Sequence, residues 1–123
     1  RCSEAKKKFG KNFIVGVSCS DSFYLYNKAF QQNADYVAFG PVYQTTSKKR
    51  KRINIKKLFP ILENLRLPFT LIGGINHMNL KECLNFNPDH VAMISSFWDF
   101  KKGPVESAFL FQKILKESDA YEN

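Results

Sequence analysis

Four short apolar segments recur along the chain, and each is followed by a stretch with helical spacing. The segments are rich in β-branched and aromatic residues and lie at residues 13–17, 36–39, 69–72 and 90–94. Near-continuous apolar runs of this length are typical of strands buried on both faces of a parallel sheet. Strand followed by helix, four times over, predicts an α/β fold with a parallel sheet.

The stretches between these segments predict the helices. Apolar residues recur at three- or four-residue spacing over residues 22–32, 54–64, 76–86 and 104–116. Residues 1–10 resemble the end of an earlier helix, because Gly10 is the usual residue type just after a helix terminus. Pro60 lies inside the second predicted helix, where a proline costs about 3 kcal/mol. We therefore expect that helix to begin later or to kink.

Four parallel strands with helices on one side would leave the inner face of the sheet uncovered. A complete eight-stranded barrel would cover that face. The pattern therefore favours a parallel (β/α) half barrel, completed by sequence outside this chain or by a second chain, and a small open doubly wound sheet is the alternative. Because the sequence begins at Arg1 and not at Met, we expect coding sequence before it. Residues 1–123 are interpreted as a single partial domain.

The charge balance favours anionic partners. Nineteen Lys and Arg residues against eleven Asp and Glu give a net charge of +8, which suits small-molecule phosphates, although a solvated lysine-rich surface without a specific partner is the alternative. The basic run at residues 48–52 has no stacking platform or recognition helix beside it, which disfavours nucleic acid. No stretch approaches the roughly 18 to 20 apolar residues of a membrane span.

The cysteines and several polar or aromatic residues suggest structural roles. Three cysteines without C-x-x-C spacing indicate reduced thiols in the cytoplasm, and Cys83 has the apolar neighbours of a core residue. Trp98 and Phe100 are expected to pack between the fourth strand and the last helix, since stacking on a base is the less favoured alternative. Three carboxylates are predicted to cap or close turns, namely Asp21, Asp35 and Asp89.

Small and polar residues follow the third and fourth strands at their carboxyl ends, where α/β sheets bind ligands. Gly73 and Gly74 allow the backbone to approach a ligand closely with its N–H groups. Ser95 and Ser96 add hydroxyl and N–H donors after the fourth strand. A tight turn and a helix cap are the structural alternatives, but two such segments at consecutive strand ends favour a phosphate site.

A hydroxyl-rich segment follows the second strand. Thr45, Thr46 and Ser47 precede Lys48, and hydroxyls with an ammonium group suit phosphate or pyrophosphate. For residues 49–52 a mobile basic loop is the favoured interpretation. No pair of histidines or cysteines has the spacing of a metal site, and we predict no metal ligand in this chain.

Five segments, taken in order, resemble the successive motifs of thiamine-phosphate synthases. They are residues 16–18, 34–43, 45–48, 72–75 and 91–96. Their order and spacing match from about Phe9 to Lys116, and residues 39–43 with the Thr-x-Ser-Lys tail are the most specific part. The resemblance implies that this chain corresponds to strands five to eight of a TIM (β/α)8 barrel.

The resemblance also implies a reaction and roles for residues. The family joins hydroxymethylpyrimidine diphosphate to thiazole phosphate, giving thiamine phosphate and pyrophosphate. Lys48 and Ser18 would be the catalytic residues, with Lys48 neutralising the leaving pyrophosphate and Ser18 binding near it. The thiazole phosphate would be held by Thr45, Ser47, Gly74, Ile94 and Ser95, with Gly73 and Ser96 beside them.

Three departures from the family pattern qualify this expectation. The Mg²⁺ that clamps the pyrophosphate would be bound by carboxylates of the other half of the barrel, which this chain lacks. We therefore expect the isolated chain to be inactive, and a non-catalytic phosphate-binding half barrel that self-associates is the alternative. Ser47 replaces the usual Thr and keeps the hydroxyl. Ser20 replaces a His that matters in the related thiazole tautomerases, which argues against tautomerase activity.

Overall fold

The computed structural model describes residues 1–44 and 51–118. Its four strands all run parallel and pair in the order β1-β2-β3-β4, so strands that are consecutive in the chain are neighbours in the sheet. The predicted α/β fold is therefore confirmed. The elements are α1 (Cys2–Phe9), β1 (Gly16–Ser20), α2 (Phe23–Gln31), β2 (Tyr36–Phe39), a 3-10 turn (Ile55–Lys57), α3 (Leu58–Glu63), β3 (Phe69–Ile72), α4 (Leu80–Leu84), β4 (His90–Ala92), α5 (Ser95–Trp98) and α6 (Gly103–Glu117).

The sheet is covered on one face only. Val37, Phe39 and Leu71 are fully buried and share one core with helix residues such as Leu58 and Leu80. Because successive strand side chains point to opposite faces, the residues between them line an open groove of about 720 Å³ on the other face. The uncovered inner face is the one expected of a half barrel, although the apolar runs themselves are of the kind found in strands buried on both faces.

The first strand lies three residues later than predicted. Phe13 and Ile14 are 45% and 73% exposed and precede the sheet, whereas Ser18 and Ser20 pair with β2. A strand needs only backbone hydrogen bonds along its edge, and the open face of this sheet accepts polar side chains. Apolar content alone therefore misplaced this strand.

The starts of α2 and α3 each have a local cause in the sequence. The Ser22 hydroxyl accepts a hydrogen bond from the Leu25 N–H at 3.1 Å and caps α2. Pro60 is the third residue of α3, where its missing N–H would have had no partner within the helix. The expected late start after residue 54 is confirmed. No helix in residues 1–44 or 51–118 is long and apolar enough to cross a membrane.

An aromatic stack joins α5 to the last helix, through a ring other than the two expected. Phe97 stacks on Phe111 with ring centroids 6.0 Å apart, while Trp98 is 64% exposed. Phe100 instead lies edge-on to His77. The prediction that Trp98 and Phe100 pack between β4 and α6 is therefore wrong. In the short helix α5, Phe97 is the residue that points toward α6.

The three carboxylates that were predicted to cap or close turns instead accept backbone N–H groups from segments 20 to 33 residues away. Asp35, which precedes β2, accepts the N–H of Val15 at 2.7 Å. Asp89 precedes β4 and accepts the N–H of Phe69 at 2.9 Å. Asp21 accepts the N–H of Asn54 at 3.2 Å. Each carboxylate thus satisfies a backbone donor of another segment, whereas the usual bonds of Asp at turns are to backbone groups a few residues away.

We predict that Asp35→Asn lowers the melting temperature at pH 7. The Lys6 ammonium, 2.8 Å from the Asp35 carboxylate, and then the Val15 N–H lower the pKa of that carboxyl below its ordinary value of 3.8. A lowered pKa stabilises the fold above 3.8, and the gain is lost as pH falls through the folded pKa. The difference in melting temperature between wild type and Asp35→Asn should therefore be largest at pH 7 and become smaller below pH 3.8.

Asp89→Asn is the matched control, because the Asp89 carboxylate accepts a backbone N–H at the start of another strand, as the Asp35 carboxylate does. Thermal unfolding of both variants from pH 7 to pH 2 checks the prediction. If the melting-temperature difference between Asp35→Asn and wild type stays constant from pH 7 to pH 2, the ion pair between Lys6 and Asp35 contributes nothing to stability.

Candidate functional site

A pocket of about 220 Å³ opens at the carboxyl ends of β3 and β4. Five of the residues predicted to bind phosphate lie on it together, namely Gly73, Gly74, Ile94, Ser95 and Ser96. The described residues that line it include no Asp or Glu. An anion in this pocket would therefore meet no fixed negative charge from its walls.

The two glycines form a turn that has no room for a side chain. Gly73 and Gly74 have φ angles of 101° and 67°, which L residues rarely adopt. A Cβ atom on Gly73 would collide with Pro41, and one on Gly74 would lie 2.8 Å from the Gln44 carbonyl oxygen. The turn after β3 is thus pressed against the segment that follows β2.

Hydrogen bonds fix the orientation of the peptides in this turn. The Gly73 carbonyl accepts the N–H of Tyr43 at 3.0 Å, and the Gly74 carbonyl accepts the side-chain amide of Asn79, also at 3.0 Å. The N–H of a trans peptide points opposite to its carbonyl. The N–H groups of Gly74 and Ile75 therefore point away from these protein partners.

The two serines differ in what their hydroxyls do. Ser96 donates to the Ile75 carbonyl at 2.6 Å and so ties α5 to the glycine turn. Ser95 is exposed and begins α5. Its N–H precedes the first hydrogen bond of the helix, which runs from the Phe97 N–H to the Ile94 carbonyl at 3.1 Å. Ser95 thus presents a hydroxyl and a backbone donor at the pocket. The alternative interpretation of the serines as a side-chain helix cap is wrong, because Ile94 is the cap residue and no side chain caps α5.

Asn76 and Asn79 support the glycine turn, and we did not predict this role from the sequence. The Asn76 carboxamide oxygen accepts the N–H groups of Met78 and Asn79, while the Asn79 oxygen accepts the N–H of Asn76. This reciprocal arrangement delays α4 to Leu80, four residues later than expected. The signal was present as Asn-x-x-Asn directly after Gly-Gly-Ile, since Asn favours such turns. Gln44 also lines the pocket and was not predicted.

The remaining predicted residues lie elsewhere or outside the described range. Ser18 is exposed in β1 and lines the groove on the open sheet face, not the pocket. Thr45, Ser47 and Lys48 lie outside the described residues, which resume at Lys51.

The titratable groups next to the turn are held in their neutral forms. Tyr43 donates to the Asn79 carbonyl at 3.4 Å and accepts from the Cys83 thiol, and burial raises the pKa of Tyr43. Burial also raises the pKa of Cys83, and that of Cys19 to about 11. A nucleophilic cysteine needs a lowered pKa. These thiols are therefore core residues, as predicted for Cys83.

A metal ion has no evident place in the described part of the chain. Residues 1–44 and 51–118 contain no group of three or more His, Cys, Asp and Glu side chains arranged to hold one. Divalent magnesium prefers carboxylate and water oxygens, and the described lining of the pocket has no carboxylate. The residues present do not fit a magnesium site.

The fold and the pocket define an α/β protein of the half-barrel class, with a pocket at the carboxyl ends of the last two strands. Comparison with known proteins gives the particular family. A family model described as thiamine monophosphate synthase matches residues 1–97, so the chain belongs to the thiamine monophosphate synthase family.

Individual relatives agree with this assignment. The thiamine-phosphate synthase of Pelagibacter ubique is 38% identical over 103 residues, covering 82% of this chain and 50% of that protein. The one from Prochlorococcus marinus subsp. pastoris is 30% identical over 114 residues, covering 92% of this chain and 32% of that protein. The solved thiamine phosphate pyrophosphorylase from Pyrococcus furiosus superposes with a TM-score of 0.79 at 29% identity, covering 95% of this chain and 55% of that one.

The chain therefore spans about a third to a half of the length of these curated relatives. The similarity in the solved structure extends over nearly all of this chain and about half of its counterpart. This is the relation expected between a half barrel and a complete barrel.

Proposed function

We propose that this chain supplies the phosphate-binding half of a thiamine-phosphate synthase. In the proposed reaction the bond from the pyrimidine methylene carbon to the diphosphate oxygen breaks, and pyrophosphate leaves with the electron pair. The lone pair of the thiazole nitrogen then forms the new C–N bond, and the product is thiamine phosphate.

The observation that carries the proposal is that the glycine turn and Ser95 meet at one pocket whose described lining carries no charge. The glycine turn is held by Tyr43 and Asn79 so that its N–H groups face away from their protein partners, and Ser95 adds a hydroxyl and an N–H across the same pocket. Oriented N–H groups are a recurring way to bind phosphate without a side-chain cation. This arrangement supports the thiazole phosphate as the ligand.

The described residues would bind and orient this substrate. A phosphate fixed between the glycine turn and Ser95 would hold the thiazole ring in one orientation, and such positioning lowers the barrier of a two-substrate reaction. The proposal keeps Lys48 as the group that neutralises the leaving pyrophosphate and Ser18 as a neighbour of it. The expected Mg²⁺ does not fit the described residues, which include no carboxylate in the lining of the pocket.

A direct test compares thiazole phosphate with the unphosphorylated thiazole alcohol by titration calorimetry. We expect a dissociation constant on the order of 0.1–1 mM for the phosphate and no detectable binding of the alcohol. In the same preparation, with hydroxymethylpyrimidine diphosphate and Mg²⁺ added, we expect no release of pyrophosphate, because half of the barrel is absent. Equal binding of the two thiazoles would exclude the pocket as a phosphate site, and turnover would exclude the predicted inactivity.

The open face of the sheet supports a second candidate, a non-catalytic half barrel that self-associates. The groove along β1 to β4 is lined by both apolar and polar side chains, including Tyr36 and Ile72, and a second copy would cover it. Sedimentation analysis distinguishes the two. A mass that rises with concentration toward roughly twice 14.2 kDa would favour the self-associating form, and a constant monomer mass would exclude it.

A further inference from the structure

A basic segment at residues 51–57 lies at the same edge of the sheet as the pocket. It carries four positive side chains, Lys51, Arg52, Lys56 and Lys57. Lys51 and Arg52 are exposed, and neither forms an ion pair with another described residue. Asp21 is the carboxylate that contacts the segment, through the Asn54 N–H, so the segment keeps a net positive charge.

Backbone contacts fix where this charge lies. Ile53 is buried, and its N–H donates to the Pro41 carbonyl at 2.8 Å. The Asn54 N–H, one residue further on, is held by Asp21. Arg52 directly precedes these two anchors. Its backbone is therefore held beside Pro41 at the carboxyl edge of the sheet.

Pro41 in turn touches the glycine turn of the pocket, because a Cβ atom on Gly73 would collide with it. Hydrogen-bonded backbones lie about 4.8 Å apart. Two such spacings put the Arg52 backbone roughly 10 Å from Gly73. That distance is close to the Debye length of about 10 Å at 0.1 M salt, so an exposed cation there still acts on an anion in the pocket.

We propose that Lys51 and Arg52 form an anion-recruiting site at the mouth of the pocket, which strengthens and accelerates the binding of phosphate-bearing small molecules. The inference rests on the proposed function, because it takes the glycine turn as the phosphate site. The described pocket walls carry no charge and attract an anion only at short range. Cations at the rim supply the long-range attraction that raises association rates.

The test uses inorganic phosphate as the probe and two double variants with the same change in charge. One is Lys51→Gln with Arg52→Gln. The other is Lys7→Gln with Lys8→Gln, two exposed residues in the last turn of α1. These control residues lie away from the pocket. Their neighbour Lys6 pairs with Asp35, and Asp35 lies six residues before Pro41, which is about 20 Å along an extended strand.

At 20 mM salt we expect the Lys51/Arg52 variant to bind phosphate about fivefold more weakly than wild type, and at 500 mM salt less than twofold more weakly. The Lys7/Lys8 variant should change affinity less than twofold at either salt concentration. Equal losses in the two variants would overturn the inference, because the effect would then be one of net charge. A fivefold loss that persists at 500 mM salt would also overturn it, because direct contact would replace long-range attraction.

Ser95→Asp separates a failure of this inference from a failure of the proposed function. If Ser95→Asp leaves phosphate binding intact, the pocket is not the phosphate site and both fail. If Ser95→Asp abolishes binding while the Lys51/Arg52 variant binds as wild type does, only the recruiting site is refuted.

Discussion

Replacing Gly73 by alanine is expected to lower the free energy of unfolding by about 4 kcal/mol. Two costs add: a φ angle of 101° strains any residue with a side chain, and the new methyl group would collide with the backbone of Pro41. A loss of this size approaches the total stability of a small domain. Urea unfolding at low temperature, followed by circular dichroism, measures it.

Gly10→Ala is the matched control for this prediction. Gly10 has the same φ angle of 101°, but a Cβ atom there would meet nothing within 4 Å. We expect it to cost about 1–2 kcal/mol, the backbone strain alone. Equal losses for Gly10→Ala and Gly73→Ala would mean that the contact between the glycine turn and Pro41 contributes nothing to stability.

Replacing Ser95 by aspartate is expected to weaken thiazole phosphate binding about a hundredfold. The substitution removes a hydroxyl donor and puts a carboxylate beside the place proposed for the phosphate. Two like charges about 4 Å apart repel by roughly 4 kcal/mol at the effective dielectric of a partly exposed site, and incomplete desolvation and side-chain movement reduce this to the hundredfold expected. Titration calorimetry with wild type and variant at 100 mM salt checks the prediction.

Ser118→Asp is the charge-matched control, since it adds the same charge after the end of α6, far along the chain from the pocket. It should change affinity less than twofold. If the two variants lose affinity equally, the assignment of Ser95 to the phosphate site is refuted. A circular dichroism spectrum of Ser95→Asp that matches wild type excludes unfolding as the cause of any loss.

The sheet and much of the pocket could be predicted from the sequence because both depend on local signals. Apolar runs located β2, β3 and β4, although the run at residues 90–94 extends two residues beyond the end of β4. A pair of glycines and a pair of serines at consecutive strand ends pointed to one edge. Gly73 and Ser95 indeed lie on one pocket. Parallel strands bring their carboxyl ends together whatever the distance in sequence, so that inference needed no knowledge of contacts.

What could not be predicted depends on partners distant in the chain. The start of β1 is set by pairing with β2, and nothing within residues 13–20 shows that Ser18 and Ser20 belong to the strand while Phe13 does not. The support of the glycine turn by Asn79 depends on a side-chain bond to Gly74. Whether Phe97 or Trp98 faces α6 depends on the rotation of α5 about its own axis. A helix of four residues is too short for its apolar pattern to define that rotation.

The carboxylates that bind the starts of the strands divide the described sheet into two similar units. The bond from Val15 to Asp35 and the bond from Phe69 to Asp89 both span 20 residues, and each joins the start of one strand to the start of the next. Residues 15–39 and 69–92 are thus two strand–helix–strand units. In each unit the same kind of hydrogen bond, from a backbone N–H to an Asp carboxylate, joins the starts of the two strands. The boundary between these two units falls between β2 and β3, which are neighbours in the same sheet.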